Sequence, residues 1–416
     1  MKLRFACLLF FSLSCLSLSA QQYDLLIKNG RVIDPKNKID KKMDVAVANG
    51  RIAAVAANIA PATAKQLVDA TGLLVTPGII DMHAHVFAGT VSDGDLSYGF
   101  GSLPADGFTF RVGVTTVVDA GSSGAKDFAV FKKNIADRSR TRVLAFLNVG
   151  YEGMKGSEYS EYQQDAKYMD PKMAADTAKK YSDYIVGVKV AHYHQPSFLA
   201  VERAVEAGKL SNLPVMVDFG GCTPRLSLKT LFLEKMRPGD IFTHVYGELL
   251  DTKESIVDTA RKVLKPFVME GRKKGIIYDV GHGGGSFRYS QAIPAIKAGL
   301  FPDVISTDLH TGSMNAGMKD QLNVMSKFMA LGMPLNEVIK ASTWRPAEVI
   351  NRKELGHLSV GAVADIAVLN LQKGRFGFFD VARYKQQGNQ RLECELTVKD
   401  GTIVYDLNAI SIPSPQ

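Results

Sequence analysis

The chain has 416 residues, of which 46% are hydrophobic, 22% charged and 9% aromatic, enough apolar material to bury a large core. That balance excludes an intrinsically disordered or low-complexity protein. The formal net charge is +8, yet lysine and arginine are scattered and form no run interleaved with aromatics, so no nucleic-acid partner is expected and the excess reads as solvated surface with some attraction for anionic small molecules.

Residues 1–20 differ from the rest. Lys2 and Arg4 precede an apolar run from Phe5 to Leu18, closed by Ser19-Ala20 before Gln21. This is the pattern of a secretory signal peptide cleaved after Ala20, which places the mature protein in a bacterial periplasm or outside the cell. No later stretch reaches about 18 uninterrupted apolar residues, so no stable membrane span is expected. Cleavage removes Cys7 and Cys15 and leaves Cys222 and Cys394 far apart in sequence, which does not suggest a disulfide framework.

Residues 21–76 read as short strands with turns, YDLLIKNGRVID, MDVAVANGRIAAVA and KQLVDATGLLVTPG, in which the Asn-Gly steps are hairpin signals. Residues 351–416 have the same character in GHLSVGAVADIAVLNL and ECELTVKDGTIVYD. The two ends are expected to build one composite β-sandwich around an inserted segment, residues 77–350. That segment alternates apolar runs with helical stretches, the signature of parallel strands with crossover helices. Its runs lie at 78–85, 114–120, 142–149, 184–192, 213–219, 240–245, 275–281 and 303–310. Eight units predict an α/β fold, a (β/α)8 TIM barrel.

Polar residues stand at the C-terminal ends of these runs: His83 and His85, Lys189, Asp218, His244 and Asp308. In a barrel those ends share one face and surround one axis. A doubly wound sheet accounts for the same alternation but gives no reason for these residues to converge. In His83-Ala84-His85 the imidazoles are two residues apart on an extended strand, so they point to one side and can grip one ion. Two satisfied core histidines would be the plain reading of a bare His-x-His; the block PGIIDMHAHVF directly after a β unit argues against it. Lys189 ends the run IVGVKV, where burial favours the neutral amine, which can add carbon dioxide to give a carbamate bridging two ions. The plain alternative is a lysine snorkelling from a strand end. Asp308 can both touch a metal and take the proton of the attacking water, or simply cap a loop.

His282 in DVGHGGGSF follows strand seven. Gly283 and Gly284 beside it would let backbone N–H groups approach a carboxylate or an oxyanion. Asn148 and Tyr151, after strand three, are placed to line the pocket. His310, His192 and His194 are weaker candidates; His357 and Trp344 read as structural.

Taken in order, LLIKNGRVID, LLVTPGIIDMHAH, IVGVKV, GDIFTHVYGE, DVGHGGGSF, ISTDLH, ASTWRPAEVI and LSVGAVADIAVLN resemble the amidohydrolase superfamily, and within it the dihydroorotase-like and deacetylase-like metallohydrolases, over nearly the whole mature chain. The resemblance implies a binuclear site, usually zinc, with manganese or iron as alternatives. His83, His85 and Asp308 would hold one ion, and carboxylated Lys189 would bridge to a second that also binds His244. Family members with the full pattern carry a histidine at the end of strand five, where this chain has Asp218, a carboxylate that changes the charge and softness of the second position. The implied reaction is hydrolysis of an amide or ester of a small, anionic acyl compound by metal-activated hydroxide, with Asp308 passing the proton to the leaving group. Deacylation of an N-acyl compound is the leading form and opening of a cyclic amide the nearest rival. A catalytically silent binding protein on the same fold, or an isomerase or lyase, are the other classes. The oligomeric state is open, a homo-oligomer being one alternative.

Overall fold

Seven parallel strands lie side by side in chain order in the computed structural model, which describes residues 22–91, 94–249 and 251–413. Residues 1–20, read above as a signal peptide, fall outside these. The seven are Ile79–Ala84, Val114–Ala120, Arg142–Asn148, Ile185–Val190, Val215–Val217, Ile241–Phe242 and Ile277–Tyr278, each inside a run expected from sequence. The eighth run, 303–310, closes the ring. Val304 bridges Asp279 after strand seven and Leu309 bridges Ala84 in strand one, both in parallel sense. The His85 N–H donates to the Leu309 carbonyl at 2.8 Å, and the Asp308 N–H to the His83 carbonyl at 2.6 Å. This segment forms no continuous ladder, because Asp308 turns into the left-handed region at φ 53° and the Thr307 N–H donates to the Asp81 carboxylate at 3.0 Å instead of to a carbonyl.

Closure explains the core. Met82, Val118, Leu144, Phe146, Val186, Met216, Ile241, Ile277 and Val304, drawn from all eight strands, form one buried apolar cluster. Side chains from opposite strands can meet only inside a barrel, so this is the plug beneath the site. The outward faces pack on helices. Helix Leu199–Ser211 buries Ala200, Val201, Ala204, Val205 and Ala207 at the 3–4-residue spacing that puts them on one face, and it stops where Asn212 takes a left-handed φ of 56°.

The chain ends join as expected, in one eight-stranded, largely antiparallel sheet. Leu74–Pro77 is its joint, pairing in parallel with the first strand, Tyr23–Asp34, and antiparallel with Ile366–Phe379. Hydrogen bonding runs through all eight strands, and they enclose a core of their own that includes Leu25, Ile27, Val45, Val68, Ile366 and Leu396. Of the two Asn-Gly steps, Asn49-Gly50 reverses a hairpin between Ile39–Ala48 and Arg51–Ala56. Asn29-Gly30 instead makes a bulge within Tyr23–Asp34, because this strand changes neighbours there, from Ala64–Asp69 to Leu74–Pro77. Because Leu74–Pro77 runs through Gly78 straight into strand one, the sheet fixes the base of the strand that carries His83 and His85.

Phe146 is fully buried in the plug. Phe146→Ala is expected to cost about 3–5 kcal/mol in denaturant unfolding, read from the midpoint at unchanged slope.

Candidate metal centre

Above the apolar plug the strand ends turn polar. His83 Nε2 lies 3.5 Å and His85 Nε2 3.1 Å from Asp308 Oδ1. The ligand atoms of His83, His244 and Asp308 all lie within 4.8 Å of one another. Lys189 Nζ stands 3.3 Å from His83 Nε2 and 3.8 Å from Asp218 Oδ2. That carboxylate oxygen also faces His244 Nε2 at 3.3 Å and His192 Nε2 at 3.4 Å. All six ligands expected from sequence therefore converge, and His192 joins them.

The far side of each ring fixes which atom faces the centre. His244 Nδ1 sits 2.6 Å from the Gly281 carbonyl; a carbonyl only accepts, so Nδ1 carries a proton and Nε2 is the atom turned to the centre. His83 Nδ1 is 2.9 Å from Thr243 Oγ1, which in turn donates to Asp279 at 2.7 Å. His85 Nδ1 is 2.9 Å from Ser122 Oγ. The Nε2 atoms thus point at carboxylate oxygens, and two acceptors in contact repel unless a proton or a metal cation lies between them. A donor set of imidazole nitrogens and carboxylates, oriented from behind by hydroxyl, carboxylate and carbonyl groups, fits a divalent ion.

Electrostatics agree. Burial pulls His83 down to about 4, with the nearby Lys189 ammonium adding to the effect. Burial also lowers Lys189, which favours the amine over the ammonium. Burial would raise the carboxyl of Asp308, but His83, His85, His310 and His244 outweigh it and hold the group far below its ordinary value. For Asp218 burial is likewise overcome, by His244, Lys189 and His192. Burial would lower His244, but the Asp218 carboxylate outweighs it and lifts the ring above its ordinary value, so between these two groups a proton can stand where a cation would.

Three residues of the centre carry backbone strain. His192, His244 and Asp308 adopt left-handed φ of 48°, 55° and 53°, which costs about 1–2 kcal/mol per non-glycine residue and turns each side chain inward at the end of its strand. Two glycines give these ligands room. A Cβ on Gly281 would lie 2.4 Å from Thr243 Oγ1 and 2.8 Å from His244 Nδ1, and one on Gly283 would lie 2.3 Å from Asp308 Oδ2.

A cavity of about 670 Å³ opens over the centre, walled among others by His85, Glu158, His192, Asp218, Glu248, Lys253, Gly284, Asp308 and His310. Four residues expected at its substrate wall lie elsewhere. His282 is fully buried against the Phe287 ring, with centroids 4.6 Å apart. Its Nδ1 donates to the Gly283 carbonyl, and its Nε2 accepts from Lys327 Nζ at 2.7 Å. Both ring nitrogens are occupied and none is left for substrate. Gly283 backs Asp308 and does not line the cavity. Asn148 is tied to backbone, donating to the Gly121 carbonyl after strand two at 3.0 Å and accepting from the Gly150 N–H at 2.9 Å. The Tyr151 ring faces Lys126, away from the cavity wall. Gly284 does line the cavity.

Lys253, Glu158 and Glu248 escaped sequence reading because they sit in loops after the strands, where no periodicity marks direction. The double histidine of AHYHQ was the available signal for His192. Trp344 packs with Ile80, Ala347 and Leu355, His357 lies edge-on to it at 5.7 Å, and Cys222 and Cys394 are free.

Comparison with known proteins agrees with this geometry. The amidohydrolase family matches residues 289–404. A deacetylase of Agrobacterium fabrum is 34% identical over 331 residues, 78% of this chain and 77% of that protein. Among solved structures, an adenine deaminase superposes with a TM-score of 0.80 at 26% identity, covering 92% of this chain and all of the other. A dihydroorotase gives 0.77 at 27%, covering 92% and 99%.

Gly283→Ala is expected to push Asp308 off its position and weaken metal retention about 10–100-fold, the range seen when a ligand's support is lost. Competition against a chromogenic chelator measures it; unchanged affinity would show that Asp308 does not need this gap.

Proposed function

The chain belongs to the amidohydrolase family, and on that premise we propose that it is a metal-dependent hydrolase that removes the acyl group from a small, anionic N-acyl or O-acyl compound. The observation that carries this reading is one carboxylate, Asp308, held against the inward nitrogens of His83 and His85 at the floor of an open cavity. Similarity to a deacetylase over more than three quarters of both chains supports deacylation as the form of the reaction.

His83, His85 and Asp308 would hold the first ion, and Lys189, as a carbamate, would join Asp218 and His244 at a second; imidazole and carboxylate donors suit zinc, with manganese or iron as alternatives. A divalent cation there supplies Lewis acidity for the acyl carbonyl and lowers the pKa of water. The protein does the rest. Asp308 takes the proton of the attacking water as its oxygen bonds to the acyl carbon. It then delivers that proton to the leaving nitrogen or oxygen as the bond to carbon breaks, giving a carboxylic acid and a free amine or alcohol. Thr243, Asp279, Ser122 and the Gly281 carbonyl keep the three imidazoles in register through both steps.

Opening of a cyclic amide is the second reading, favoured by the fold match to a dihydroorotase. It uses the same centre, so the loops around the cavity choose between the two. We also propose export, on the strength of the apolar run behind Lys2 and Arg4.

Purified protein is expected to carry about one or two transition-metal ions per chain, and Asp308→Asn to lose at least about 100-fold in kcat. An active protein free of metal would sink the proposal. Turnover of N-acyl amino acids, acyl hydroxy acids, dihydroorotate and hydantoins on the same sample separates deacylation from ring opening. For export, the mass of protein recovered from a bacterial periplasm is expected to correspond to a chain beginning at Gln21; an uncleaved chain confined to the cytoplasm would refute it.

A further inference from the structure

The charge on the cavity wall is lopsided. Asp95, Glu158, Glu248, Asp218 and Asp308 all line it, and among its described lining residues Lys253 is the sole lysine or arginine. The side chain of Lys253 is buried, with its residue 5% exposed. Its ammonium lies 5.2 Å from the centre of the Phe242 ring and, among the described residues, has no ion-pair or hydrogen-bond partner. A buried lysine is normally paired. Burial lowers its pKa to about 8, and the field of Asp218 works against that fall, so the group still carries charge at neutral pH.

A second unpaired donor lies on the same wall. Gly220 follows Asp218 at the end of strand five and lines the cavity. Its N–H has no acceptor among the described residues and is free to donate to a bound group. The loop carrying Lys253 is fastened to this segment by a 2.8 Å hydrogen bond from the Cys222 N–H to the Thr252 carbonyl.

We propose that Lys253, together with the N–H of Gly220, is the anion-recognition element of the cavity, binding the carboxylate of an acyl acid while its acyl group lies over His83, His85 and Asp308. The acidic residues on the rest of the wall repel that carboxylate, so one orientation is selected. A charge-assisted contact of this kind also discriminates against a neutral analogue, because the ammonium then loses cavity water without gaining a countercharge. The assignment of the acyl group rests on the deacylation reading; the anion site itself does not.

The test uses metal-loaded protein and two hydrolysis-resistant probes, N-methylsulfonyl-alanine and its carboxamide, titrated calorimetrically. N-acetyl-alanine and N-acetyl-alaninamide serve for turnover. Lys253→Met is expected to weaken binding of the acid roughly 10–100-fold and to leave the carboxamide within about twofold. Lys253→Arg is expected to restore most of the loss, and Lys253→Gln to repeat the Met result, with metal content unchanged in all three. Equal loss for acid and carboxamide, or an unaltered acid affinity in both the Met and Gln variants, would overturn the proposal. A wild-type protein that binds the acid in preference to the carboxamide yet hydrolyses no acyl compound would keep the anion site and refute deacylation.

Discussion

A carboxylate buried among imidazole nitrogens is the constraint on which the rest of this molecule turns. Asp308 is drawn toward His83 and His85 at distances that bring acceptor against acceptor, and Asp218 meets His244 and His192 in the same way. Removing such groups from water costs several kcal/mol per charge unless a partner of opposite sign is present. Protons could supply that charge, but the hydroxyl, carboxylate and carbonyl groups behind the rings leave Nε2 as the atom offered inward. The centre is therefore built to demand cations, and the strain at His192, His244 and Asp308 is the cost of aiming ligands from strand ends that would otherwise run past one another.

The barrel makes this arrangement possible by closing imperfectly. Strand eight touches strand one through a few hydrogen bonds, and its residues are turned over to the site: Thr307 and Asp308 bond to Asp81 and His83 in place of a regular ladder. Asp81, with its carboxyl pushed up to about 7 by burial, braces the seam. The apolar plug beneath and the terminal sheet that leads into strand one provide the rigid base that such a seam requires. Stability is carried by the layers below, and chemistry by the rim above.

The convergence of polar side chains was legible because it is written in strand ends. His83, His85, Lys189, Asp218, His244 and Asp308 each end an apolar run, and in a barrel every such end meets the same axis. The substrate wall was not legible for a reason His282 shows well. It stands in a glycine-rich loop beside the site, the sequence context of a ligand-binding turn, yet Lys327 from a distant helix and the Phe287 ring claim it from the other side. The neighbouring glycines are there to clear space for Asp308 and His244, not to cradle an anion. Lys253 is the converse case, an unremarkable loop lysine that the path of the chain leaves buried and without a partner.

The sequence by itself determined the barrel, the joining of the two chain ends and the six converging side chains, because these follow from periodicity and from the direction of parallel strands, which are local properties. Tertiary structure alone decided the ring orientations that turn Nε2 inward, the recruitment of His192 beside Asp218, the withdrawal of His282 into the core and the exposure of Lys253 to the cavity. Each of these depends on which residue from a remote element faces a given atom, and a loop has no repeat from which that direction can be read.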